Sequence, residues 1–419
     1  MSKKHKIINK KFGKNDEYGV ITVLTTVVFI ALMAMFIGKY PWSHNPYNSY
    51  TLQALSWLDG RLDLGQDYSY LELAIYNGKY YVSFPPFPSY VMLPFALIFG
   101  ENTPDYLILY IFDILAVLYL YKICRHFKFS GSKSMVCALF AFICSNCVFT
   151  MLTPYVWFIA QTMCFTLSVI CIYYAFKRKL GLSLFFWACS VGCRPMQFIF
   201  VPVILCIYFQ PMWKKHKGKE FFNIILKKWS AVIPAFVVGL SYMILNYARF
   251  GSITEFGHDY LPEHMREGGE QFSLVFVNDN FKSLFRGIRF SEDGRMFVDH
   301  FNNISLLVVS PIIMFTLIIF VYVHIKAKKH NERGVFNTFL CCLVIIICSC
   351  IHMFVIAMHN TLGEWHFGMR YANDIIPWMY ISMLICLKKY PSLTKYQIPF
   401  AVWGIVINAV GSVIVYNDL

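Results

Sequence analysis

Long apolar stretches alternate with short polar segments along almost the whole chain. Most of these stretches have about the 20 apolar residues that an α-helix needs to cross the hydrocarbon core of a bilayer. The predicted spans cover residues 20–37, 84–100, 105–123, 134–150, 155–176, 182–208, 230–248, 305–326, 335–358, 374–389 and 396–415. The pattern therefore predicts an all-α integral membrane protein with about 11 transmembrane helices, forming one polytopic membrane domain over residues 1–419.

The polar segment that follows the first span, residues 45–88, is also rich in aromatic side chains. Its amphipathic pieces are broken by glycine and proline, a pattern typical of short helices that lie in the plane of the interface. The segment therefore predicts interfacial helices. A surface of this kind suits an enzyme that takes one substrate from the membrane and the other from water.

Basic residues indicate which ends of the spans face the cytoplasm. Lysines crowd the N-terminal segment and the segments 214–228, 326–333 and 388–395. The positive-inside rule places these in the cytoplasm, with the C-terminus extracytoplasmic. Two further basic turns, 122–133 and 177–179, fall on the opposite side in this count. The predicted outer loops are residues 39–87, 246–304 and 359–374.

Composition excludes several classes of protein. With 58% hydrophobic and only 14% charged residues among 419, the chain has far more apolar surface than a soluble core could bury. The net charge of +14 comes from lysines beside apolar runs, so anionic lipid headgroups account for it and nucleic-acid binding is not expected. The 14 cysteines lie in or beside apolar runs, and no disulfide framework is expected.

Five motifs, in order along nearly the whole chain, resemble the GT-C superfamily of membrane glycosyltransferases. Within it, the chain resembles bacterial relatives of dolichyl-phosphate-mannose protein mannosyltransferases and of the lipid A aminoarabinose transferase. The motifs are Gly-Arg-Leu-Asp-Leu at 60–64, Gly-Lys-Tyr-Tyr at 78–81 with Pro85 and Pro86 after it, Arg-Pro at 194–195, the segment 246–251 ending Arg-Phe-Gly, and Phe-Gly-Met-Arg-Tyr at 367–371 with Asp374 and Pro377 after it.

The resemblance implies an inverting transfer of a sugar from a polyprenyl-phosphate donor to an acceptor hydroxyl on the extracytoplasmic face. The acceptor would be a glycan, a lipid or a protein. Such chemistry needs a base for the acceptor proton and cations for the departing lipid phosphate.

Arg370, Arg194 and Lys79 are the candidate donor-phosphate ligands. Arg370 lies within a matching motif at the end of a predicted span, and a guanidinium binds phosphate through two parallel hydrogen bonds. The alternative is an interfacial arginine that reaches lipid headgroups. Arg194 lies inside an apolar run, where a charge is costly, and its alternative role is structural at a helix break before Pro195.

The candidate bases depart from the family pattern. Better-known members carry an acid, often an Asp-Glu pair, just after the first span, where this chain has Asn45 and Asn48. Asp63 is the first candidate to replace it, with helix capping as the alternative role. Asp59 and Asp259 are the other candidate catalytic acids. Asp67 and Glu72 in the first loop, and Glu263 in the second, are further alternatives.

The same motifs supply the candidate substrate-binding residues, which are Tyr80, Tyr81, His366, Tyr371 and Asp374. Several histidines fall in the predicted outer loops, but their spacing fits no standard zinc signature. No metal ligands are therefore assigned, and a divalent metal stays an open alternative.

Two other functions remain open at the level of sequence. A transporter or flippase for a lipid-linked sugar would also need a basic, aromatic cavity, although no internal inverted repeat is visible. A non-catalytic protein on a degenerate GT-C scaffold would explain the missing acid pair.

Overall fold

The computed structural model describes residues 14–213, 215–265, 270–290, 292, 296–297, 304–330, 335–360, 362 and 367–418. Parts of the predicted outer loops 246–304 and 359–374, including the candidate His366, lie outside these ranges. Within the described chain, 8 helices are long and apolar enough to cross a membrane. The protein is thus an all-α, multi-pass membrane protein, as the sequence predicts. The count of about eleven spans is not confirmed by this criterion.

The first part of the chain contains eleven α-helices and a β-hairpin. Its elements are α1 Lys14–Phe36, α2 Ser49–Leu58, β1 Leu73–Tyr76, β2 Lys79–Val82, α3 Phe87–Phe99, α4 Asp105–His126, α5 Gly131–Ala141, α6 Cys147–Thr150, α7 Val156–Phe176, α8 Leu180–Val191, α9 Val201–Trp213, α10 Gly218–Leu226 and α11 Ile233–Phe250. Short 3₁₀ helices at Gly100–Asn102, Pro195–Phe200 and Trp229–Val232 join some of them.

The second part begins with irregular structure and returns to long helices. Its 3₁₀ helices are His258–Tyr260, Leu274–Phe276, Arg370–Ile375 and Pro391–Tyr396. Its other elements are α12 Val277–Ser283, β3 Arg289–Phe290, β4 Met296–Phe297, α13 Leu306–Val309, α14 Pro311–Lys329, α15 Val335–Ala357, α16 Ile376–Lys389 and α17 Gln397–Asp418.

The apolar run 84–100 does not form a helix long enough to cross a bilayer. Helix α3 has 13 residues and is about 20 Å long, against a hydrocarbon core of about 30 Å. It packs beside α2, and the Ser89 hydroxyl donates a 2.7 Å hydrogen bond to Gln53 Oε1. Helix α3 therefore belongs with the first polar loop.

The apolar run 182–208 is divided between two helices. Helix α8 ends at Val191, and a new 3₁₀ helix starts at Pro195 and continues into α9. Arg194 between them is extended, with φ −143° and ψ 103°, as the residue before a proline prefers. The break places an arginine at an interruption of the helical backbone.

Contacts with the first polar loop define one end of the helical bundle. The backbone N–H of Asn45 donates to Asp105 at the start of α4. The N–H of Val156, at the start of α7, donates to the carbonyl of Tyr47 at 3.1 Å. Helices α4 and α7 therefore begin at this first-loop end.

Basic turns meet at the opposite end. The rings of His126 and Phe176, which close α4 and α7, lie 5.3 Å apart, and Lys388 Nζ lies 5.5 Å from the Phe127 ring. Arg178 donates a 2.8 Å hydrogen bond to the carbonyl of Ile207. The turns 122–133 and 177–179 thus lie at the same end as the basic segment that contains Lys388.

This arrangement predicts opposite labelling of two introduced cysteines. In a background without the 14 native cysteines, Asp67→Cys should react with an impermeant reagent in intact cells. Lys179→Cys, in an exposed turn at the basic end, should react only after lysis. Labelling of both positions from one side would contradict the arrangement.

Candidate functional site

The β-hairpin connects the first polar loop to the end of α11. Asn77 and Gly78 form its turn with φ of 50° and 71°, the left-handed pair typical of a two-residue hairpin loop. Arg249 Nη1 donates a 3.0 Å hydrogen bond to the carbonyl of Val82. The Tyr81 ring lies 5.2 Å from the ring of Phe250. Together these contacts hold the first and second loops side by side.

A cavity of about 770 Å³ opens between these loops, the break after α8, the end of α15 and the start of the 3₁₀ helix at Arg370. Its size suits a sugar with an attached phosphate group. Aromatic rings supply much of its wall, from Phe84, Trp157, Phe256, Phe272 and Tyr371. The described charged side chains in its wall are Arg194, Arg370, Glu72, Glu255, Asp259 and Glu263.

Arg370 is a buried cation on the wall of this cavity. The residue is only 3% exposed, and its guanidinium lies 4.8 Å from the Tyr371 ring and 5.4 Å from the Phe158 ring. Among the described residues, its Nε and Nη1 atoms have no hydrogen-bond partner. Burial lowers the pKa of Arg370, but a guanidinium stays protonated in proteins. An anion in the cavity would satisfy these donors.

Arg194 is a second cation in the cavity, but it is paired. Its Nε donates a 3.2 Å hydrogen bond to Asp374 Oδ2, and its guanidinium lies 4.6 Å from the Tyr371 ring. Burial alone would lower the pKa of Arg194, and the charge of Asp374 more than offsets this, so the pKa is raised. The two arginines therefore share the ring of Tyr371.

Buried amide side chains on α7 and in the 3₁₀ helix after Arg194 hold Arg370 and Asp374 in place through hydrogen bonds. Gln161 Nε2 donates to the carbonyl of Arg370 at 2.6 Å and to Asp374 Oδ1 at 3.2 Å. Gln197 Nε2 donates to the carbonyl of Asp374 at 3.1 Å, and its Oε1 accepts from Trp378 Nε1 at 3.0 Å. The backbone that presents Arg370 is therefore held by buried hydrogen bonds.

Among the described residues, four carboxyl groups line the cavity near these cations. Glu72 Oε2 accepts a 3.0 Å hydrogen bond from Trp157 Nε1. Burial raises the pKa of the Glu255 carboxyl, and the neighbouring Asp259 raises it further. Glu263 completes the set. The cavity thus combines cations with carboxylates that could accept a proton.

Three histidines, His258, His264 and His359, also line the cavity. Burial, together with the nearby His264, His359 and Arg194, lowers the pKa of His258 to about 4. The His258 imidazole is therefore neutral at pH 7. In the described part of the chain, no group of three or more His, Cys, Asp or Glu side chains could hold a metal ion.

The structure brings four of the candidate site residues together with the alternative acids Glu72 and Glu263, and a further candidate, Asp374, lies behind them. Arg194, Arg370, Tyr371 and Asp259 line the cavity, although up to 177 residues separate them in the chain. Asp374 is 1% exposed and contacts Arg194 from behind.

The other first-loop candidates lie outside the cavity lining. Asp63 Oδ2 accepts a 3.1 Å hydrogen bond from Lys79 Nζ, and its Oδ1 accepts from the N–H of Gly65. Asp59 pairs with Arg61 at 2.9 Å on the surface. Tyr80 and Tyr81, on β2, also lie outside the lining.

Asn45 and Asn48 surround a buried acid that the sequence did not indicate. Asn48 Nδ2 donates to Asp105 Oδ2 at 3.0 Å, and the N–H of Asn45 donates to both Asp105 oxygens at 3.1 Å. Asp105 is fully buried, and His44 Nδ1 lies 3.0 Å from its Oδ2. The two asparagines therefore have a structural role in holding Asp105. Sequence motifs pointed neither to Asp105 nor to Glu255 of the cavity, because neither residue lies in a family-like segment.

The His44 and Asp105 contact predicts a pH-dependent stability. Burial lowers the pKa of His44, but the hydrogen bond and charge of Asp105 outweigh it and raise the pKa above 6.5. The stabilisation is complete below the unfolded-state pKa and is lost as the pH rises through the folded-state value. We expect His44→Gln to lower the melting temperature by about 2 °C near pH 6 and much less near pH 9. Equal effects at both pH values would contradict this.

The chain is similar to two solved structures of an archaeal oligosaccharyltransferase from Archaeoglobus fulgidus. The first structure is the apo form. The sequences are 12% identical, the TM-score is 0.45, and the alignment covers 93% of this chain and 56% of the archaeal enzyme. The second structure is AglB in complex with an inhibitory peptide and a dolichol-phosphate. The sequences are 12% identical, the TM-score is 0.45, and the alignment covers 94% of this chain and 55% of AglB. This chain spans about half the length of those enzymes. No protein-family model and no curated protein matches it.

Proposed function

We propose that the protein is a GT-C-type glycosyltransferase that moves a sugar from a polyprenyl-phosphate donor to an acceptor hydroxyl on the extracytoplasmic face. The acceptor is a glycan, a lipid or a protein. One observation carries the proposal: the buried Arg370 guanidinium keeps unsatisfied donors in a cavity that also holds carboxylates. A buried cation of this kind requires an anionic ligand to offset its lost hydration.

The proposed reaction is a displacement at the anomeric carbon with inversion. The acceptor oxygen forms the new bond to that carbon as the bond to the donor phosphate oxygen breaks. Asp259, which lines the cavity, accepts the acceptor proton. Arg370 binds the phosphate and stabilises the negative charge that develops on it. Arg194, paired with Asp374, lies against the same Tyr371 ring as Arg370.

The donor lipid chain lies in the membrane beside the cavity in this proposal. The aromatic wall, with Trp157 and Tyr371 beside Arg370, offers faces on which a sugar ring can stack. The cytoplasmic N-terminus, the cell-membrane location and the extracytoplasmic C-terminus belong to the same proposal and follow from the distribution of basic segments.

Turnover of a synthetic polyprenyl-phosphate sugar by the purified full-length protein tests the proposal. Release of free polyprenyl phosphate that depends on an added acceptor or on water would support a transferase. Movement of intact donor across liposomes without release would instead indicate a flippase. Binding with neither outcome would indicate a non-catalytic protein and overturn the proposal.

A further inference from the structure

A short helix connects two apolar spans at the basic end of the bundle, opposite the first polar loop. Helix α10 lies between α9, which ends at Trp213, and the 3₁₀ helix that starts at Trp229 and continues into α11. The flanking residues 195–213 and 229–250 are each long and apolar enough to cross a bilayer. Helix α10 is therefore located where the chain leaves the membrane and enters it again.

The two sides of α10 differ in polarity. Its apolar side chains recur at the i, i+1, i+4 and i+5 spacing of one helical face, and its polar side chains share the other face. The apolar face carries Phe221, Phe222, Ile225 and Leu226, and the polar face carries Lys219, Glu220 and Asn223. Phe222 is 59% exposed and Leu226 is 53% exposed. The apolar face thus needs an apolar environment that the rest of the bundle does not supply.

Ring contacts show which way this apolar face points. The ring of Phe221 lies 6.0 Å from the ring of Phe209 and 6.4 Å from the ring of Trp213. Phe209 lies one turn before the end of its span, so the face that carries Phe221 is turned towards the bilayer. Trp213 and Trp229 are both exposed on either side of α10, as is typical of tryptophans at a membrane–water boundary. The helix therefore lies along this boundary.

Lysines surround the helix on both sides. The segment 214–228 contains six lysines and a single acid, Glu220, whose carboxylate lies 2.6 Å from His216 Nδ1. The five described lysines are exposed, and they are Lys215, Lys217, Lys219, Lys227 and Lys228. The basic turn 177–179 adds to this charge, because Gly181 just after it lies against Ala231. A cluster of this size on an amphipathic helix favours anionic headgroups.

We infer that α10 is a binding surface for anionic phospholipids in the leaflet at the basic end of the bundle. Its apolar face enters the acyl region of that leaflet, and its lysines contact the headgroup phosphates. A lipid is the occupant because the apolar face is turned towards the spans, where a protein partner in water could not reach it. The inference does not depend on the proposed reaction.

Site-specific fluorescence quenching in nanodiscs tests the position of the helix. A bimane label is attached to Ile225→Cys on the apolar face or to Asn223→Cys on the polar face of the full-length protein. Cys206 and Cys350 are first replaced by alanine, because the other 12 cysteines are buried. Doxyl-labelled lipid should quench the label at 225 about threefold more than the label at 223, and aqueous iodide should show the reverse order.

The headgroup preference is measured at position 225 with two quenchers at equal mole fraction, doxyl-phosphatidylglycerol and doxyl-phosphatidylcholine. The anionic quencher should be about threefold more effective, because the lysines enrich it locally. Replacing the five described lysines by glutamine should bring this ratio close to one. The matched control replaces Lys326, Lys328 and Lys329, in another basic segment, and should keep the ratio.

Three results would overturn the inference. Quenching at 225 by iodide but not by doxyl lipid would place the helix in water and indicate a protein partner. Equal quenching by the two lipids, with all lysines present, would remove the anionic preference and needs no lysine variant. An unchanged ratio in the lysine variant would show that these lysines do not bind the headgroups.

Discussion

Arg370→Lys is expected to reduce turnover of a polyprenyl-phosphate sugar by about 10² to 10³-fold, the usual cost of removing one preorganised donor to a developing anion. Lysine keeps the positive charge but loses the planar fork that binds two phosphate oxygens at once. Its ammonium also lacks the planar surface with which the guanidinium packs near the rings of Tyr371 and Phe158. Steady-state kinetics on the purified protein measures the loss.

Arg61→Lys is the matched control for this change. Arg61 is an exposed first-loop arginine that pairs with Asp59 outside the cavity lining. Its substitution should leave turnover within about twofold, since exposed ion pairs contribute little. Wild-type turnover and donor affinity in Arg370→Lys would show that Arg370 does not bind the donor phosphate.

Asp259→Asn is expected to lower turnover by about 10² to 10⁴-fold while donor affinity is preserved, as for loss of a general base. The first-loop candidate Asp63 should matter much less, because its oxygens face Lys79 and Gly65. We expect Asp63→Asn to change turnover by no more than about threefold. Comparing kcat with donor affinity for both variants measures the difference.

Asp279→Asn provides a control in the same outer loop, since Asp279 is exposed, pairs with Lys282 and lies outside the cavity lining. It should be fully active. If Asp63→Asn is inactive and Asp259→Asn is active, the general base is Asp63 in the first loop. If both remain active, Glu255→Gln is the next variant, because Glu255 shares the cavity with Asp259.

Arg370 and Asp63 show that a family-like motif can identify a candidate residue without showing whether that residue faces the cavity. Both lie in family-like segments, and each segment is recognisable from local sequence alone. Only Arg370 lines the cavity. The difference arises because Asp63 is in a turn whose own backbone and Lys79 satisfy its carboxylate. Local sequence cannot say which way a loop side chain faces, since that depends on what the loop packs against.

The sequence by itself determined the helical, multi-pass character of this protein and the grouping of its basic segments. Both depend on apolar length and on charge, which are local properties of the chain. The tertiary structure alone decided that 84–100 packs with α2 instead of crossing, and that Arg194 pairs with Asp374, 180 residues away. Such contacts are chosen by the packing of distant helices, because a buried charge must find its partner wherever the fold brings one.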